Sequence, residues 1–116
     1  MIGLVTDDYN AIDPSLVTDA SGGKWLSFGS FWSGIKLLKL DSGTGKPTSS
    51  ATVYSLAAKA TPDPEEGSGI VHHGGYYYLF VAVDYCCQGI RARITSKSAG
   101  RPASPAPTWT RPAPRC

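Results

Sequence analysis

The spacing of turn residues limits this chain more than any other feature. Ala20-Ser21-Gly22-Gly23, Asp41-Ser42-Gly43-Thr44-Gly45-Lys46-Pro47 and His73-Gly74-Gly75 cut the sequence into short apolar runs. Such runs are too short for ordinary helices and suit strands joined by turns. Residues 15–19 and 24–30 read as a hairpin, 34–40 as a third strand and 51–56 as an outer strand. The acidic stretch 61–69 reads as an irregular loop. Beyond it, 69–73 and 76–83 form a second hairpin, and 84–89 another loop. Two passages thus share one grammar: an acidic loop, a strand, a glycine turn and an aromatic strand. This predicts an all-β chain. Repeated sheets of this kind build propellers, in which the loops leading into each blade line a central site.

With 116 residues the chain holds one small domain. It has no run approaching the roughly 20 apolar residues of a membrane span, and no signal peptide is visible after Met1. The net charge of +2 hides a division. All nine acids precede residue 91, while all five arginines and five of the nine prolines follow residue 90. The expected domains are therefore 1–90, an ordered β unit, and 91–116, a Pro/Arg-rich tail that is irregular. Cys86, Cys87 and Cys116 give neither a disulfide framework nor zinc spacing. No metal or other cofactor is expected. His72 and His73 are expected to flank a surface turn.

Three strings carry more information. They are Asp8-Tyr9-Asn10-Ala11-Ile12-Asp13-Pro14-Ser15, then Trp25-Leu26-Ser27-Phe28-Gly29-Ser30-Phe31-Trp32-Ser33-Gly34-Ile35, then Gly75-Tyr76-Tyr77-Tyr78-Leu79-Phe80-Val81 with Asp84-Tyr85-Cys86-Cys87-Gln88-Gly89. In this order over about residues 4–90 they resemble the endo-1,5-α-L-arabinanases of glycoside hydrolase family 43. The resemblance implies a partial five-bladed β-propeller, of which this chain supplies about two blades. It implies an enzyme that hydrolyses α-1,5-linked arabinofuranosyl bonds with inversion. Arabinan or an arabino-oligosaccharide is then the partner, with no nucleic acid or membrane involved, and the parent enzyme is secreted. By the same resemblance Glu66 is the general acid and Asp13 orients that acid and raises its pKa. The general base belongs to a blade that the match does not include, so this segment alone is expected to be inactive. The family usually has Glu-Ala-Pro-Phe where this chain has Glu66-Gly67-Ser68-Gly69, preceded by Glu65.

The chemistry needs these residue types. A leaving oxygen must be protonated while water attacks the opposite face, with roughly 6.5–9.5 Å between acid and base. A carboxyl group stays protonated near neutral pH when burial or a neighbouring carboxylate raises its pKa. Phe31 and Trp32 offer faces for a furanose ring, and Asn10 and Ser33 offer hydrogen bonds to hydroxyls. Two rival readings are a non-catalytic carbohydrate-binding module using the Phe31-Trp32 face, and a β-xylosidase or α-L-arabinofuranosidase relative.

The tail has a separate explanation. After Ile90 the resemblance stops, where the family continues with a strand. If each codon's third base is read with the first two bases of the next codon, residues from Arg91 onward can encode S-T-Y-N-V-Q-V-G-R-S-A-S-I-T-G-P-Y-V-D-A-S-G-A-P-M. Most third bases are free, but Trp109 followed by Thr110 forces the Asp of that string. A shifted reading frame from about residue 91 makes the tail's Arg and Pro by-products of translation rather than a nucleic-acid-binding arm.

Overall fold

The computed structural model describes residues 8–58 and 65–83, and the backbone of 95–102. Within them lie β1 (Ser15–Thr18), β2 (Lys24–Phe28), β3 (Ile35–Leu40), β4 (Tyr54–Ala57), β5 (Glu66–His73), β6 (Tyr76–Val83) and β7 (Thr95–Pro102). The first four form one antiparallel sheet in sequence order, and the last three form a second.

Carboxylates organise two of the turns. Asp19 Oδ1 accepts from the backbone N–H of Ser21 (2.9 Å), the Ser21 hydroxyl (2.6 Å) and the N–H of Gly23 (2.8 Å). Its Oδ2 accepts from Trp25 Nε1 at 2.8 Å, which ties the β1–β2 turn to the start of β2. Asp41 Oδ1 does the same after β3, accepting from Thr44 N, Thr44 Oγ1 and Gly43 N. This is the local side-chain-to-backbone bonding for which Asp is favoured in turns. The third turn rests on backbone shape. Gly74 and Gly75 both have positive φ, 58° and 77°, as a two-residue hairpin loop of the I′ type requires.

The Asp19 bonds have a measurable consequence. The Ser21 hydroxyl first, and then the Trp25 indole, hold its pKa at about 2, down from 3.8. A folded-state pKa below the unfolded one stabilises the fold above the unfolded value, and the contribution fades as pH falls through the folded one. Asp19→Ala is expected to cost about 1 kcal/mol near pH 7, a figure reduced for solvent screening. Urea titrations of both proteins should show that difference shrinking between pH 4 and pH 2; a difference that persists unchanged there assigns the loss to something other than the charged carboxylate.

The core follows the period-two alternation of the strands. Ile35 on β3 packs against Leu79, Val81 and Val83 on β6, with Leu56, Ala57 and Ile70 around them. This cluster joins the two sheets face to face. On the other face of the first sheet Phe28, Leu38 and Leu40 pack with Leu26 and Tyr9, the Tyr9 ring meeting Phe28 edge-on at 5.6 Å. The sheets also share polar links. Ala20 N–H donates to the Tyr77 hydroxyl at 2.9 Å, and the Ser68 hydroxyl donates to Ser27 Oγ at 3.1 Å in a buried setting.

Two expectations change. The stretch 61–69 reads as irregular, yet β5 already begins at Glu66. Gly67 has φ 60°, and the pairing with β6 shifts register between Glu66 and Gly69. The glycines mark a bulge inside a strand rather than its absence. Residues 61–64 lie outside the described residues. The tail, expected to be irregular from 91, contains β7, which pairs with β6 from Val83↔Thr95 to Tyr76↔Pro102. Ladder bonds are made by the backbone, so a polar segment still completes the open edge of β6. Pro102 sits at the last position of an edge strand, where proline is tolerated. Residues 103–116, and the cysteines at 86, 87 and 116, lie outside the described residues.

Candidate active site

Asp13 stands two residues ahead of β1 and Glu66 opens β5. Asp13 is exposed, with φ 53°, a left-handed conformation that Asp tolerates better than most residues. Glu66 is half-buried, and Glu65 beside it is 7 % exposed.

One loop touches both acidic segments. Residues 29–34, between β2 and β3, donate Gly29 N–H to Ile12 O at 2.9 Å, Ser33 N–H to Asp8 O at 3.2 Å and Phe31 N–H to Glu65 O at 2.9 Å. The residue before Asp13 and the residue before Glu66 are therefore bonded to the same short loop. Its backbone is unusual: φ is 128° at Gly29, 56° at Phe31, 46° at Trp32 and 79° at Gly34. A Cβ at Gly29 would lie 2.5 Å from Gly34 O, and one at Gly34 would run into Ala57 O. Both positions need glycine for space as well as for φ.

A buried serine seam provides a second link. Ser15 is paired with Ser27 across β1 and β2. Ser27 is wholly buried and its Oγ donates to Ser15 O at 3.4 Å, while accepting from Ser68 Oγ. Ser15 follows Asp13 by two residues and Ser68 follows Glu66 by two. The two carboxylates thus precede strand positions that meet at Ser27.

The other expected site residues are distributed as follows. Trp32 is 66 % exposed at the loop tip. Phe31 and Asn10 are half-buried. The Ser33 N–H donates to Asp8 O and its carbonyl accepts from Lys36 Nζ, and its Oγ is buried with no hydrogen-bond partner among the described residues. That geometry favours a role in the turn over direct sugar contact. His72 and His73 are exposed beside the Gly74-Gly75 turn, with the His72 ring stacked on Tyr77 at 4.5 Å. Among the described residues no group of three His, Cys, Asp or Glu side chains could hold a metal, and no helix is long and apolar enough to cross a membrane. Sequence reasoning assigned nothing to Lys36, Ser27 or Ser68. The visible signal was Ser68 itself, standing where the resembled family usually has proline.

Two face-packed antiparallel sheets, with an acidic residue leading into a strand of each, define an all-β protein with its candidate site at the strand-entering loops. The chain belongs to glycosyl hydrolases family 43, whose sequence profile matches residues 1–114. The match extends past residue 90, where the resemblance read from the motifs stops. The chain is 50 % identical over 88 residues to the extracellular endo-α-(1→5)-L-arabinanase 1 of Bacillus subtilis, covering 75 % of this chain and 27 % of that protein. Over 92 residues it is 38 % identical to the extracellular exo-α-(1→5)-L-arabinofuranosidase ArbA of Cellvibrio japonicus, covering 71 % of this chain and 26 % of that one. Among solved structures, the family 43 endo-arabinanase of Bacillus licheniformis superposes with a TM-score of 0.78 at 46 % identity, over 84 % of this chain and 33 % of that one. The α-L-arabinanase of Cellvibrio cellulosa complexed with arabinohexaose superposes with a TM-score of 0.72 at 31 % identity, over 83 % and 34 %. The chain spans about a quarter to a third of the relatives it matches.

Proposed function

We propose that this chain is a two-blade segment of a five-bladed propeller enzyme that hydrolyses α-1,5-linked arabinofuranosyl bonds of arabinan with inversion. Glu66 is the general acid, and Asp13 orients it. The observation that carries this reading is the single loop, residues 29–34, bonded both to Ile12 before Asp13 and to Glu65 before Glu66. Bonds from one loop to the backbone just before each acid fix the two acidic segments relative to one another, as an acid and its modulator require. The named activities of the relatives support the substrate class, and the extracellular names of two of them support secretion of the parent enzyme. The general base comes from a blade outside this segment. The test is to assay the enzyme that contains this segment on linear arabinan, with aryl β-xyloside and aryl α-arabinofuranoside as comparisons. Turnover of the aryl substrates with none of arabinan would move the assignment to a xylosidase or arabinofuranosidase.

Trp32, exposed at the loop tip, is the sugar-stacking residue of this reading, with Phe31 and Asn10 beside it. In that enzyme Trp32→Ala should raise KM for arabino-oligosaccharide about tenfold, the size of a lost aromatic contact, and change kcat much less. An unchanged KM would leave Trp32 without a part in binding.

A further inference from the structure

Lys36 is a lysine where a strand core residue belongs. It lies on β3 beside Ile35 and Leu37 and is 4 % exposed. Its Nζ donates to Ser33 O at 2.7 Å and to Ser55 Oγ, on β4, at 2.9 Å. Burial lowers its pKa, and the Asp8 carboxylate opposes that shift. Burying a charged amine is unfavourable unless hydrogen bonds compensate, so an apolar residue would serve packing alone better.

The loop that Lys36 grips needs holding. Two successive non-glycine residues, Phe31 and Trp32, have left-handed backbones, which persist only where the surroundings over-determine them. Inside the loop Gly34 N–H donates to Phe31 O at 2.8 Å. Between that turn and strand β3, the ammonium on Ser33 O is a side-chain clamp. The Phe31 N–H bond to Glu65 O leaves from the same turn. We infer that Lys36 is a positioning residue: through Ser33 it fixes the 31–34 turn and hence the placement of the Glu65-Glu66 segment relative to the Asp13 loop. This rests on the roles proposed for Asp13 and Glu66, and it adds a residue that touches neither.

Amide hydrogen exchange on the full chain tests the clamp without any appeal to catalysis. Lys36→Met keeps the bulk of the stem and removes the donor. Exchange at Phe31 and Ser33 N–H should rise about tenfold, the weight of one net hydrogen bond, while Leu26 and Leu38 in the strands keep their protection. Ser55→Ala removes the other acceptor and should leave Phe31 and Ser33 nearly unchanged. If Ser55→Ala matches Lys36→Met, Lys36 is a strut between β3 and β4 and the inference fails. It fails equally if Lys36→Met leaves Phe31 protected or loosens the whole sheet uniformly. Should Lys36→Met not fold, Lys36→Gln, which keeps a donor but shortens its reach, must still raise exchange at Phe31. The kinetic arm uses the enzyme that contains this segment. There Lys36→Met should lower kcat on arabinan by up to about 100-fold, as a misplaced catalytic group does, with KM little changed. Intact kcat with loosened amides overturns the positioning role while leaving the hydrolase reading standing. Absent arabinan turnover in the unsubstituted enzyme overturns the hydrolase reading while the exchange result stands.

Discussion

In the enzyme that contains this segment, Glu66→Gln is expected to lower turnover of linear arabinan by about 10²–10⁴-fold, the weight of general acid catalysis. The change keeps the side chain's shape and removes only the titrating proton. Glu66 leads into β5 from a position whose neighbour is bonded to the Phe31 turn, so the loss arises from chemistry and not from a collapsed loop. An aryl arabinoside with a good leaving group needs little protonation, and Glu66→Gln should hurt that substrate far less. Asp13→Asn should also depress arabinan turnover, but without the rescue, because Asp13 acts on the acid and not on the leaving group. If Asp13→Asn shows the rescue and Glu66→Gln does not, the two roles are exchanged. If Glu66→Gln turns over arabinan normally, the buried Glu65 next to it becomes the residue to test.

The strands were legible because apolar alternation and turn residues are local. The Gly74-Gly75 hairpin and the Asp19 and Asp41 turns sit where their residues predict, since one side chain or one positive φ decides each. The start of β5 reads three residues late because the acidic stretch 61–69 looks like a loop, whereas pairing with β6 absorbs the segment between Glu66 and Gly69 as a bulge. Asp13 and Glu66 were visible only through the motifs around them; taken singly, each is a loop acid. What joins them was not legible. The bonds from residues 29–34 to Ile12 and Glu65, and the meeting of Ser68 with Ser27, span tens of residues. Lys36 was hidden for a similar reason. A lysine in an apolar strand usually reads as a solvated edge residue, and its use depends on where the Ser33 carbonyl points.

The largest expected effect concerns the tail. Residues 1–116 alone should release no detectable reducing sugar from arabinan, whereas the enzyme that contains this segment together with the base-bearing blade, its frame intact after codon 90, should. The chain spans 27 % of the Bacillus subtilis relative, and the resemblance places the general base in a blade outside the matched residues. Without a base, nothing activates the attacking water, and that loss alone is about 10²–10⁴-fold. The β6–β7 register gives the frame argument a structural footing. Thr95 and Lys97 are paired with Val83 and Val81, both buried on β6. In the offset frame codons 95 to 100 can read valine, glutamine, valine, glycine, arginine and serine. That puts a valine at each of those two register positions and restores the period-two pattern of a half-buried strand. The sequence as translated keeps the backbone ladder but lacks that pattern. Codons from 91 onward that cannot yield the offset string end the frame hypothesis. Arabinan turnover by residues 1–116 themselves would overturn the missing-base argument with it.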